Sequence, residues 1–192
     1  AVNGYGTASP DTRLELNFYT GRVEVDGKYV TLDGGTPLQY MPLAVEQNLT
    51  ASKYIETAGA RMKKYEVDRT AYSDGRMPDN DIVLYRYADV LLMKAEAKVR
   101  NGESGDEQLN AVRSRAGMPS LAATLANILD ERLLELVWEG WRRQDMIRFG
   151  TYCAPYDIHT PSAADKKRYT IVFPIPEKAR ELNSNLAQNP GY

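Results

Sequence analysis

The chain has 192 residues, 43% of them hydrophobic and 26% charged, which suits a folded protein with a substantial core and excludes a disordered one. Its 24 basic and 26 acidic residues leave a net charge of −2 and are spread along the length, so no polyanion-binding surface is announced and nucleic acid is not an expected partner. A single cysteine excludes an intrachain disulfide and a cysteine-based zinc site, and no apolar run approaches the roughly 18 residues that suggest a membrane span.

Residues 1–19 carry Gly4, Gly6 and Pro10 without sustained periodicity and read as loop. AVNGYGTASP lacks the charged-then-apolar pattern of a signal peptide. It starts without Met in Gly-, Ser- and Pro-rich sequence, so the expectation is a mature or truncated piece of a longer protein. RVEV-DG-KYVTL, residues 22–32, places Asp26-Gly27 between runs in which Val23, Val25, Val30 and Leu32 share a face, which predicts a hairpin around a type I′ turn. Residues 36–81 are rich in turn formers and contain Tyr40, Tyr54, Tyr65 and Tyr72. A loop that long inside one domain usually binds something or wraps a partner.

Asp79, Asn80 and Asp81 offer caps for a helix over 82–100, apolar nearly all round and therefore expected to be enclosed. A second helix over 106–116 turns Leu109 and Val112 inward and stops at Gly117. Two helices within about 35 residues match the size of one tetratricopeptide unit, although its Trp and Pro markers are absent. Residues 125–149, LANILDERLLELVWEGWRRQDMIRF, read as one long helix capped by Thr124 and closed by Gly150. Its broad apolar sector predicts packing on more than one side. Glu131, Glu135, Glu139 and Arg142, flanked by Arg132 and Arg143, are expected to form a solvated face. Asp145 and Arg148 fall on the apolar side, three residues apart, and suit a structural ion pair. A polar loop over 151–167 holds Cys153 and His159. A short strand is expected over 169–173, ended by Pro174 and Pro176, before a brief helix and turns.

Few catalytic templates match. GxSxG, HExxH, P-loop and CxxC patterns are absent, and His159, the only imidazole, sits in a polar loop. Gly4-Tyr5-Gly6 lacks the strand a dinucleotide fingerprint needs. Glu131 and Glu135 have the spacing of an acid–base pair, but on the expected solvated face with Arg132 and Arg142 close by. Cys153 has no sequence-local base to activate it. No metal site and no cofactor are expected. The unusual feature is aromatic: thirteen Tyr and two Trp against three Phe. Loop tyrosines offer flat apolar area with a hydroxyl handle, which suits sugars or peptides, whereas Tyr85 and Tyr87, inside the apolar helix, read as packing residues.

DIVLYRYADVLLMKAEA, LNAVRSRAG, ILDERLLELVWEGWRRQDMIRFG, FPIP and NSNLAQNPGY, in this order, resemble the successive blocks of the SusD/RagB family. The resemblance is strongest from Asp81 to Tyr192. It implies a mainly α, SusD-like fold with tetratricopeptide-type helix packing, long loops and a small β-hairpin. The whole of 1–192 would be a C-terminal SusD/RagB domain: 1–80 loop-rich, 81–150 helical, 151–192 loop, short strand and tail. The family's N-terminal half, with its helix pairs and lipid-anchored cysteine, would lie outside this chain. The resemblance further implies a non-enzymatic, cell-surface, outer-membrane lipoprotein of Bacteroidetes that binds an oligosaccharide, or a peptide, and delivers it to a TonB-dependent, SusC-like transporter. The family's recurring residues carry over as Arg86, Asp89, Glu96, Arg113, Arg115, Glu131, Arg132, Glu139, Gly140, Arg142, Asp145 and Arg148, read as architecture: helix-to-helix ion pairs, with Gly140 where two backbones approach. Ligand contacts are expected from loops before the helical block, with Tyr5, Tyr19, Tyr40 and Tyr72 as candidates. A helical protein–protein adaptor is the alternative from another class.

Overall fold

The computed structural model describes residues 10–42, 59, 61–66, 68–73, 75, 78–156 and 159–192. The chain forms two compact units, Ala1–Glu139 and Gly140–Tyr192. Its class is mainly α with small two-stranded sheets, and among the described residues no helix is long and apolar enough to cross a membrane.

In the first unit a short helix, α1 (Arg13–Asn17), precedes the β segment. Asp26 (φ 51°) and Gly27 (φ 73°) make the left-handed turn joining β2 (Glu24–Val25) to β3 (Lys28–Tyr29), so the expected hairpin is present. Val23, Val30 and Leu32 are half-buried whereas Val25 is exposed, so the shared apolar face is only partly covered. β1 (Gly21–Arg22) runs antiparallel to β4 (Gln39–Tyr40). Beside them, residues 17–19 lie along 61–63: Tyr19 N–H donates to Arg61 O at 3.0 Å and Lys63 N–H to Asn17 O at 2.9 Å.

Three helices carry the core of this unit: α2 (Tyr87–Arg100), α3 (Asp106–Arg115) and α4 (Leu125–Glu135). Leu92, Ala95, Leu109, Val112 and Ile128 are buried on them, and full burial of each larger aliphatic chain contributes about 1.5–3 kcal/mol. Thr124 Oγ1 accepts from Asn127 N–H at 3.1 Å and caps α4 as expected. The turn into α3 is pressed onto α2: a Cβ at Gly105 would lie 2.7 Å from Ala95 O, which only glycine avoids.

The helix expected over 82–100 begins later, at Tyr87. Arg86 is extended (φ −145°, ψ 164°) because its side chain is drawn to carboxylates on α4 and beyond, described below. Ile82, Leu84 and Tyr85 therefore precede the helix and are exposed, as are Tyr87, Val90 and Met93 on α2 itself. Among the described residues the helix is covered on one side only, and Tyr85 and Tyr87, read as packing residues, are 69% and 75% exposed.

The single helix expected over 125–149 is two. α4 ends at Glu135 and α5 (Arg142–Arg148) starts after a break in which Trp138 (φ 69°) and Gly140 (φ 80°) are left-handed. Periodicity cannot register such a break, because the apolar spacing continues through it. Trp138 packs its ring 5.9 Å from Phe18, which is buried with Leu134.

In the second unit, α6 (Ala163–Lys166) is held by a capping box: Ser162 Oγ accepts from Asp165 N–H at 3.1 Å, and Asp165 Oδ2 accepts from Ser162 N–H at 2.8 Å. The strand expected over 169–173 is instead a 3₁₀ turn, Tyr169–Ile171, entered through left-handed Arg168. Side-chain amides replace strand partners here: Gln188 bonds both N–H and O of Ile175, and Asn189 donates to Phe173 O. Helix α7 (Glu177–Leu182) then forms the expected short tail helix.

Exposed Ile82, Leu84, Tyr85, Tyr87, Val90 and Met93 make a sticky stripe when nothing covers them. The isolated chain is expected to self-associate in sizing chromatography, and Tyr87→Lys with Val90→Lys to reduce this without loss of helix by circular dichroism. A clean monomer before substitution would count against an uncovered stripe.

Candidate functional site

Charges withdrawn from water need partners, and α4 carries two acids that are almost fully buried: Glu131 (1% exposed) and Glu135 (2%). Arg13 bridges them at 2.7 and 2.9 Å while its other nitrogens take both oxygens of Asp11. The second oxygen of Glu131 accepts from Arg113 at 2.6 Å, and Glu135 also accepts from Arg86 and Arg115, each at 2.6 Å. Arg86 continues to Glu139, which also pairs with Lys64. Arg132 reaches Asp89 at 2.6 Å. The solvated face expected on residues 131–142 is thus, over Glu131, Arg132 and Glu135, an interior ionic network. Pattern reading sends charge to solvent, and here the compensating cations come from positions remote in sequence.

The same cations close the end of α4. Arg86 and Lys64 donate to Glu135 O at 2.6 and 2.7 Å, and Lys64 also to Val137 O at 3.1 Å, satisfying carbonyls a helix end leaves open. Burial alone would raise the Glu135 carboxyl, but Arg86, then Arg115 and Arg13, hold it below its ordinary value. Burial alone would likewise lower Arg13 and Arg86; hydrogen bonds to Asp11 and Glu139 outweigh it and raise both. For Lys64 burial wins, and its ammonium is lowered despite Glu139.

The other residues of the recurring set are placed as follows. Glu96 pairs with Arg100 at 2.8 Å, and in the second unit Asp145 pairs with Arg148 at 2.9 Å. Arg142 is the first residue of α5. Gly140 differs from the expected close approach of two backbones: a Cβ there meets nothing within 4 Å among the described residues, so glycine serves its left-handed φ of 80°.

Of the four candidate tyrosines, Tyr19 and Tyr40 come together, ring centroids 6.1 Å apart at 45°. The pairing of β1 with β4 and of 17–19 with 61–63 puts them side by side, though 21 positions separate them in sequence. The same ladder delivers two cations that sequence reasoning did not single out: Arg61, 5.6 Å from the Tyr40 ring centre, and Lys63, 5.9 Å from that of Tyr19. Their alternate spacing, 61 and 63, was the available signal, but no strand was expected there. Tyr72 stands 83% exposed in a turn, and Tyr5 lies outside the described residues.

Clefts elsewhere have a different character. One of about 430 Å³ between α2 and α3 is lined by Tyr87, Ala88, Leu91 and Ala111, with Arg86 and Arg115 at its edge. The acid–base reading of Glu131 and Glu135 fails on geometry, since both are buried and clamped by guanidinium groups rather than open to a substrate. In the second unit His159 stacks on Tyr156 at 4.6 Å and lies 3.9 Å from Asp165, whose carboxyl Thr170 and Ser162 hold down at about 2. Cys153 is half-buried against Thr170.

A helical fold of this kind, with paired helices and long loops, is shared by known structures. A SusD superfamily protein from Bacteroides fragilis superposes with a TM-score of 0.62 at 20% identity, over 100% of this chain and 40% of that one. The surface glycan-binding protein A from Bacteroides uniformis does so with 0.56 at 24%, over 93% and 47%. The chain belongs to the SusD family, whose model matches residues 8–192. It is 31% identical over 139 residues to the starch-binding protein SusD of Bacteroides thetaiotaomicron, a match covering 69% of this chain and 25% of that protein. The chain thus spans about a quarter of the length of that curated relative.

Removing Arg13 takes away the one cation shared by buried Asp11, Glu131 and Glu135, so Arg13→Ala is expected to cost about 3–5 kcal/mol in urea unfolding; a loss under about 1 kcal/mol, the scale of a surface pair, would mean that the remaining arginines compensate. Because Glu135 is held below its unfolded-state value, its ionisation contributes stability that is complete above about pH 5 and lost as the pH falls through the folded-state value. Glu135→Gln should therefore lower stability at neutral pH and flatten its decline in acid; an unchanged acid slope would exclude Glu135 as its source.

Proposed function

We propose that the chain is part of a non-enzymatic, cell-surface carbohydrate-binding subunit that captures an oligosaccharide and delivers it to a TonB-dependent, SusC-like transporter. Membership of the SusD family supports the class, and one observation carries the role of this chain: Tyr19 and Tyr40 form an aromatic pair on a hydrogen-bonded scaffold, with polar groups at its rim. A tyrosine face takes the C–H side of a pyranose while neighbouring donors take its substituents. A scaffold of backbone ladders holds such a pair with little ordering cost on binding. In this reading the protein sits at the outer membrane, anchored by a lipidated cysteine outside these residues, and other loops of the polypeptide share the ligand.

A second reading is favoured by the uncovered stripe from Ile82 to Met93: a helical surface that contacts protein, either further sequence of the same polypeptide or a separate partner, with a peptide ligand as its small-molecule counterpart. The two readings separate in one experiment on the whole natural polypeptide. Screened against a panel of glycans and peptides, it is expected to bind a glycan and to lose at least roughly tenfold in affinity on Tyr40→Ala, since an aromatic platform is worth about 1–3 kcal/mol. Unchanged affinity removes Tyr40 from the ligand. Binding of peptides alone favours the second reading.

A further inference from the structure

We infer that Tyr19, Tyr40, Arg61 and Lys63 form a subsite for an acidic saccharide, a pyranose bearing a carboxylate or a sulfate ester. This rests on the carbohydrate reading above and specifies its ligand class. The ladder between 17–19 and 61–63 sets Tyr19 opposite Arg61, with backbone N–H to O at 3.0 Å, and β1 pairing brings Tyr40 beside them. Arg61 and Lys63, two apart on one extended segment, point to the same side. Each is held near a ring, at 5.6 and 5.9 Å from the centres of Tyr40 and Tyr19, and Lys63 Nζ is fixed further by donating to Glu15 O at 2.9 Å. The four side chains carry two positive charges and no negative one.

That composition selects among sugars. A neutral pyranose needs flat apolar area plus groups that exchange hydrogen bonds with hydroxyls, a task amides do without the cost of stripping water from an ammonium. An anionic substituent changes the balance, because a charge-assisted bond to guanidinium or ammonium offsets that desolvation. The ring edge and the cation therefore address adjacent parts of one sugar: its C–H face and its acid group.

The test is calorimetry on the whole natural polypeptide with three probes: a galacturonate oligosaccharide, a galactan oligosaccharide bearing sulfate esters, and the same galactan without them. At least one acidic probe should bind roughly threefold or more tighter than the neutral one, as two charge contacts at the surface allow. The difference should vanish between about 0.05 and 0.5 M salt, a readout needing no variant. Arg61→Gln with Lys63→Gln should bring acidic and neutral probes to parity, and the stronger of the two acidic probes names the group recognised. Equal, salt-indifferent binding of all probes that Tyr40→Ala abolishes would overturn the acidic class and leave the carbohydrate reading standing. An acid preference that survives Arg61→Gln with Lys63→Gln would overturn the assignment to these residues. Binding of none of the three would overturn the acidic subsite, whereas the wider panel of glycans and peptides decides the carbohydrate reading separately.

Discussion

Two glutamates on α4 that lack water are the constraint from which the first unit is built. An unpaired carboxylate in the interior costs several kcal/mol, so folding must bring cations to Glu131 and Glu135. They come from α1 (Arg13), the approach to α2 (Arg86) and α3 (Arg113, Arg115). Among the described residues, α1, the approach to α2, and α3 are each tied to α4 by charge, and Leu92, Leu109 and Ile128 are buried in the same unit. Apolar contacts between helices tolerate sliding by a turn, whereas charge-assisted guanidinium bonds at 2.6–2.9 Å fix one register. The network therefore contributes specificity to packing whose bulk stability comes from the aliphatic core.

The network also explains two departures from periodicity. Arg86 sits extended as the residue before α2 while its guanidinium holds both Glu135 and Glu139, and the helix starts at the next residue, Tyr87. At the end of α4 the carbonyl of Glu135 is taken by Lys64 and Arg86, and that of Val137, two residues beyond, by Lys64. Once those carbonyls have outside donors, the next turn of helix is not needed to satisfy them, and Trp138 takes a left-handed conformation instead.

Local chemistry was legible in the sequence and remote pairing was not. Asp26-Gly27 specified its own turn, Thr124 its own cap, and Gly117 the end of α3, because each depends on residues within a few positions. The five blocks from Asp81 onward carried the family. The burial of Glu131 and Glu135 was illegible, since nothing near them in sequence says that Arg13 lies beside them. The expected strand at 169–173 failed for a related reason: Val, Ile and aromatic content favours an extended chain, but the partners that came were side-chain amides of Gln188 and Asn189, which accept irregular backbone.

The same logic governs the candidate site. Tyr19 and Tyr40 were chosen for residue type and loop position, and their being neighbours depends on two short ladders whose strands are two or three residues long. Such strands are too brief for alternation to announce them, so nothing local in the sequence marks Arg61 and Lys63 as neighbours of the two rings. Phe18 gives this arrangement its rigidity. It alternates with Tyr19, so while Tyr19 faces outward its neighbour is buried against Leu134 and Trp138. Leu134 belongs to the helix that carries the buried glutamates. The tyrosine pair is thus anchored, through one residue of strand alternation, to the helix that the ionic network holds in place.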